Sequence, residues 1–221
     1  MLTVHHLNNS RSQRVLWLLE ELELPYEIKY YQRDAKTQLA PPELRAIHPL
    51  GKSPVLVDGA ETMAETGAII EHLVETAGGR LRPAAGTPER TRWNYWLHYA
   101  EGSLMPPLVL RLIFASMPGR APEEIRPVAT ALAAATQAGY IDPQLKTHFD
   151  FIEGELGRSE WFAGKEFSAA DVMMSFPLEA GGVRANAYEG RPLIKAYVDK
   201  IHARPAYRVA LEKGGPYGYA N

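Results

Sequence analysis

The period of the apolar residues changes once along this chain, and that change constrains the fold more than any other feature. Up to Met63 four stretches read as strands. They are "LTVHHL", "YEIKYY", where Tyr26, Ile28 and Tyr30 alternate with Glu27 and Lys29, and "PVLVDG" with "ETMAE", joined by an Asp58-Gly59 hairpin turn. Helical stretches separate and follow them. "RSQRVLWLLEELEL" sets Val15, Leu16, Leu18, Leu19 and Leu22 on a broad stripe, with Ser10 or Ser12 as cap and Pro25 as terminator. "PPELRAI" is a short helix opened by two prolines. "TGAIIEHLVETAGG" aligns Ile69, Ile70, Leu73 and Val74, with Thr66 as cap and Gly78-Gly79 as stop. The expected order is β-α-β-α-β-β-α. After "GGRLRPAAGTPE", a linker of Gly, Pro and small residues, strand patterning vanishes and the remaining segments are helical. Ser168 and Asp171 form a capping box with Asp in place of Glu. A small α/β half followed by an all-α half implies two packed domains.

Composition removes several function classes. A formal net charge of −2 argues against nucleic acid as the main partner, and the absence of cysteine removes disulfides, thiolate metal sites and a protein-thiol nucleophile. The seven histidines are scattered, with no H-x-x-x-H pair, and adjacent His5 and His6 point to opposite faces of a strand, so no metal site is expected. No signal segment and no apolar run of membrane-crossing length is seen, so a cytoplasmic protein without membrane contact is expected.

The stretch "AIHPLGKSP" ends like a phosphate-binding loop at Gly51, Lys52 and Ser53. A Walker A loop requires glycine at position 46, where Ala46 stands, and a helix after the Ser, where Pro54 and the strand "VLVDG" stand instead. Nucleotide binding is excluded on both counts.

Taken together and in order, five motifs resemble the glutathione S-transferase family over nearly the whole chain. They are "SRSQRVLWLLEEL", "HPLGKSPVL", "AETGAIIEHL", "FSAADV" and "IHARPAYRVAL", and the bacterial and fungal serine-type members look closest. The resemblance implies a thioredoxin-like glutathione-binding domain over residues 1–80, a linker over 81–88 and an all-helical domain over 89–221 lining the electrophile pocket. It also implies a cis bond at Pro54, with Val55 presenting main-chain groups to the cysteinyl part of glutathione. Beside Ser53, Lys52 then faces the glycyl carboxylate, Thr66 takes the γ-glutamyl carboxylate at a helix N-terminus, and Glu65 takes the ammonium. Considered without that context, Lys52 is a solvated loop lysine, and Glu65 and Thr66 simply cap a helix.

Glutathione, the co-substrate, brings its own thiol, so a chain without cysteine lacks nothing for this chemistry. A free thiol has a pKa of ~8.5. Lowering it by ~2 units requires about 2.7 kcal/mol of preference for the anion, within reach of one hydroxyl hydrogen bond and a helix N-terminus. Ser10, four residues before Arg14 as in serine-type members, is the first candidate for that hydroxyl. Arg11 as a cationic donor and Ser12 follow, and Asn8 or Asn9 is a candidate to hold a water. His6 and Leu7 stand where tyrosine-type members carry their tyrosine.

Small apolar electrophiles are expected to lie against the long helix after the linker, near Trp96, Tyr99, Met105, Arg111 and Phe114, a stripe that equally suits a core. The activity implied is glutathione transfer to such electrophiles, with peroxidase activity as a possible addition and a homodimer as the usual assembly. Two alternatives share the fold: a non-catalytic glutathione-binding stress or interaction protein, and a glutathione-dependent isomerase. The isomerase members carry S-S-C where this chain has Ser10-Arg11-Ser12.

Overall fold

A computed structural model describes residues 1–220. Strands β1 (Leu2–Leu7), β2 (Tyr26–Tyr31), β3 (Val55–Asp58) and β4 (Glu61–Met63) form one sheet in the order β2-β1-β3-β4. β1 runs parallel to β2 through the crossover helix α1 (Gln13–Glu21) and antiparallel to β3, with His5 opposite both Lys29 and Val55. β3 and β4 make the expected hairpin, Asp58 facing Glu61. Helix α2 (Glu43–Ile47) buries only Leu44, whereas α3 (Thr66–Thr76) buries the whole predicted face of Ile69, Ile70, Leu73 and Val74. The result is a thioredoxin-like half with a small mixed sheet.

Two helix starts differ from the sequence expectation. Ser12 occupies the N-cap position of α1, yet its hydroxyl makes no capping bond, because His6 claims it. Glu65, not Thr66, is the N-cap of α3; its φ of 70° turns the chain sharply, so Thr66 is already helical.

Residues 77–87 lead into the helical half: α4 (Pro88–Tyr99), α5 (Met105–Arg120), α6 (Arg126–Thr136), α7 (Asp142–Leu156), α8 (Ala169–Ala185), α9 (Pro192–His202) and α10 (Pro205–Gly214). Helix α4 starts where Pro88 follows the Thr87 cap, whose hydroxyl accepts the Arg90 N–H at 3.2 Å. α8 is the axis of this half. It is buried on all sides from Ala169 to Gly181, so it shows no amphipathic stripe. π turns at Ala100–Leu104 and Gln137–Ile141 interrupt the α4–α5 and α6–α7 rods. No helix among the described residues is long and apolar enough to cross a membrane.

Asp171 secures the start of α8. Its fully buried carboxylate accepts the Ser168 N–H at 2.9 Å, the Ser168 hydroxyl at 3.0 Å, the Phe162 N–H at 2.9 Å and the Tyr197 hydroxyl at 3.0 Å. Burial pushes this carboxyl up to about 6 against those four bonds, each of which favours the anion. Replacing Asp171 by Ala removes a cap worth about 1 kcal/mol and strands at least two buried donors. Asp171→Ala should therefore destabilise the chain by about 2–4 kcal/mol in urea titration; an unmoved midpoint would refute a structural role for the carboxylate.

Candidate functional site

A cleft opens where the β1–α1 loop, the loop before β3, the start of α3 and the first π turn meet. One end, about 190 Å³, is lined by Pro54, Ala64, Glu65, Thr66 and Glu101. The other, about 220 Å³, is lined by Leu7, Ser10, Arg33, Leu39, Ala40, Arg45 and Gly51. Arg11, Leu50, Lys52 and Ser53 line both.

At the first end, the helix α3 presents its N-terminus. The first intrahelical bond runs from the Ile69 N–H to the Glu65 carbonyl (3.0 Å), so the N–H groups of Thr66, Gly67 and Ala68 remain at the open turn. A positive φ on a non-glycine residue is strained, and here it brings the Glu65 carboxylate to the cleft wall. The Thr66 hydroxyl accepts from Arg14 Nη2 at 3.3 Å. Arg14 is itself buried; its Nη1 donates to the Met173 carbonyl at 2.8 Å, and its Nη2 also reaches the Glu101 carboxylate. Arg11 Nε donates to both oxygens of Glu101, at 3.1 and 3.0 Å. Burial pushes the Glu101 carboxyl up, but Arg14 and Arg11 outweigh it and hold the group below the usual carboxylate range. The π turn supplies this geometry, because its wider ring swings Glu101 out of the α4 register toward α1.

At the second end lies a hydroxyl chain whose direction is fixed. His6 Nε2 is 3.0 Å from the Gly214 carbonyl, which can only accept, so Nε2 carries the proton and Nδ1 is bare. Nδ1 therefore accepts from the Ser12 hydroxyl at 2.9 Å. Ser12 Oγ in turn accepts from the Ser10 hydroxyl at 2.7 Å, and Ser10 Oγ accepts the Ser12 N–H at 3.2 Å. Ser12 is sealed in this chain and does not line the cleft; Ser10 does. Gly214 allows the approach of α10, since a Cβ there would meet Gln13 Oε1 at 2.5 Å. Ser53 braces the wall, donating to the His5 carbonyl at 3.1 Å and accepting the Leu7 N–H at 3.3 Å. The Ser53-Pro54 bond is cis, as the resemblance implies.

Comparison with known proteins decides the affiliation. The description "Glutathione S-transferase, N-terminal domain" matches residues 1–75, and "Glutathione S-transferase, C-terminal domain" matches residues 126–205. The chain is 36% identical to glutathione S-transferase 3 of Schizosaccharomyces pombe, covering 96% of this chain and 88% of that protein. It is also 36% identical to glutathione S-transferase 1 of Saccharomyces cerevisiae, over 99% and 97% of the two chains. The chain belongs to the glutathione S-transferase family. A solved glutathione S-transferase from Actinobacillus pleuropneumoniae, 35% identical, superposes with a TM-score of 0.83 over 100% of this chain and 96% of that one.

In this glutathione transferase, Ser10, Arg11, Lys52, Ser53, Pro54, Glu65 and Thr66 share the cleft. Val55 does not line it: it is fully buried and paired with His5 in the sheet. The expected electrophile wall does not gather there either. Tyr99 and Met105 are buried in the helical core, Tyr99 against His148, and Phe114 packs on that core. Arg111 faces a separate cavity with Asp142, Asn186 and Arg191 and donates to the Arg184 carbonyl at 2.6 Å. Asn8 and Asn9 brace main chain, accepting the Arg33 N–H at 2.9 Å and the Gly218 N–H at 2.7 Å.

Sequence reasoning missed Glu101, Arg33, Arg45 and His6. Gly102 and the Pro106-Pro107 pair after "YAE" hinted at a broken helix near Glu101; for the other three no local signal exists.

Burial holds His6 down at about 4, the Gly214 hydrogen bond opposing it. An unfolded imidazole titrates near 6.5, so between those values the unfolded chain binds a proton that the folded one refuses. The contribution of His6 to stability is thus complete above pH 6.5 and is lost as the pH falls through about 4, by about 3 kcal/mol in all. Asp171 works oppositely over about 4 to 6, because its folded carboxyl binds the proton more readily. The stability gap between wild type and His6→Asn isolates the histidine: it should narrow from neutral pH toward about pH 4.5 in urea unfolding. A gap independent of pH would refute a neutral His6.

Proposed function

We propose that this chain binds glutathione in the cleft, holds its thiol as the thiolate and transfers it to small electrophiles. Thr66 and the open N–H groups of α3 take the γ-glutamyl carboxylate, Glu65 takes the ammonium, and the main chain beside Pro54 pairs with the cysteinyl unit. Lys52 takes the glycyl carboxylate. The Ser10 hydroxyl turns from Ser12 to donate to the sulfur, while the Ser12 N–H still donates to Ser10 Oγ. The thiol proton leaves to solvent. The thiolate then attacks the electrophilic carbon, a C–S bond forms and the leaving group departs with the bonding pair. A homodimer in the cytoplasm is part of the same reading, which rests there on family membership alone.

One observation carries the reading: Ser10 lines the same cleft as the loop before Pro54 and the N-terminus of α3. That arrangement suits a zwitterionic peptide with a thiol near its middle. Losing a hydrogen bond to a charged sulfur costs about 1.5–3 kcal/mol. Ser10→Ala should accordingly lower kcat/KM for chlorodinitrobenzene about 10- to 100-fold and raise the pKa of bound glutathione, read by thiolate absorbance. Titration calorimetry should still register binding in this variant. Unchanged turnover and an unchanged thiol pKa would remove Ser10 from the mechanism.

A further inference from the structure

Among the described residues, the Ser10 end of the cleft is lined by four cations, Arg11, Arg33, Arg45 and Lys52, and by no carboxylate. Arg11 is satisfied by Glu101. Among the described residues, the other three form no ion pair. The half-buried Arg33 guanidinium donates, among the described residues, only to main chain, to the Gln38 carbonyl at 3.1 Å and the Asn9 carbonyl at 3.3 Å. A guanidinium has five N–H groups, so three remain for another partner. Burial weighs first against the Arg33 charge, Tyr219 opposes it, and Arg184 and Arg11 add repulsion, the net direction being down. Arg45 is brought over the loop by Gly51, which has a φ of +57° and whose Cβ would lie 2.6 Å from Arg45 Cγ.

We propose that the electrophile accepted at this site carries an acidic group, a carboxylate or sulfonate, seated on Arg33 with Arg45 beside it. The inference rests on the transferase reading above and names its substrate class. Glutathione alone does not balance the charge. Its γ-glutamyl carboxylate belongs to the Thr66 end, its glycyl carboxylate offsets Lys52, and its thiolate offsets one further cation only until the C–S bond forms. After that step the half-buried Arg33 lacks a counter-charge, and ion pairing is stronger there than on open surface. An acidic substituent supplies the counter-charge before and after transfer. Aliphatic Leu39 and Leu50 line the same end and suit the body of such a molecule.

A matched pair of substrates tests this: a chlorodinitrobenzene and the chlorodinitrobenzoate that differs from it only by a carboxylate para to the chlorine. In both, the thiolate displaces chloride, and each rate is divided by its uncatalysed rate with glutathione. The benzoate should be preferred about tenfold in kcat/KM, mainly through KM, and added salt should erode the preference. Arg33→Gln should bring the ratio near unity, while Arg33→Lys, which keeps the charge, should retain part of it. If Arg33→Gln misfolds by circular dichroism, Arg45→Gln and the salt series on wild type carry the test. Turnover of the neutral substrate without preference for the benzoate overturns the acidic-substrate inference and leaves the transferase reading intact. Failure to turn over either, with no heat on adding glutathione, overturns both.

Discussion

The cleft exists because a guanidinium is buried between the two halves of the molecule. Arg14 leaves α1 with almost no exposure and reaches Thr66 on α3, the Met173 carbonyl on α8 and Glu101 on the π turn. Burial drags its pKa down and Glu101 pulls it back up. A buried charge without such partners would cost several kcal/mol, so these groups are held where Arg14 needs them. Shifting α3 or the π turn would strand the guanidinium. The positions of Thr66 and Glu101 on the cleft wall are therefore consequences of one electrostatic constraint.

A second tie works from the far end of the chain. The Gly214 carbonyl fixes the His6 tautomer, His6 orients Ser12, and Ser12 orients Ser10. The last helix thus sets the direction of a hydroxyl in the first loop. Beyond it, buried Glu179 accepts the Tyr207 and Tyr217 hydroxyls, both at 2.6 Å, and the Gly218 N–H is held by Asn9. Burial and the Glu179 charge both push the Tyr217 phenol well up, so it stays a donor to that carboxylate. Residues 217–218 close on the same loop that carries Ser10, so that its hydroxyl, although on a loop, is held by packed neighbours.

Polarity is divided along the cleft. Carboxylates Glu65 and Glu101 stand at the α3 end, suited to an ammonium, while the Ser10 end is cationic. The aromatic stripe of α4, which reads equally well as pocket or core, is core: Trp96 stacks on Phe151 and packs at a tilt against Phe162, and Tyr99 stacks on Tyr95. Large aromatic surfaces are buried most favourably against one another, and α4 packs them beside α8, which is buried on every side from Ala169 to Gly181.

Much of the architecture was legible in residue order. Period-two and period-3.6 patterns placed four strands and the first three helices, because a side chain's face is decided by local backbone geometry. The capping box at Ser168 and Asp171 was legible for the same reason: its partners are three residues apart. The motifs around Pro54 and Thr66, each short in spacing, line one end of the same cleft. What sequence could not give was every relation between distant residues. Glu101 on Arg14, Gly214 on His6, and Arg33 beside Arg45 are pairs whose proximity depends on how the halves close, and no local pattern encodes a contact between them. Local periodicity determined the elements; the packing of α8 and α10 against α1 decided which serine faces the cleft and what charge surrounds it, because buried charges and fixed donors are satisfied only in three dimensions.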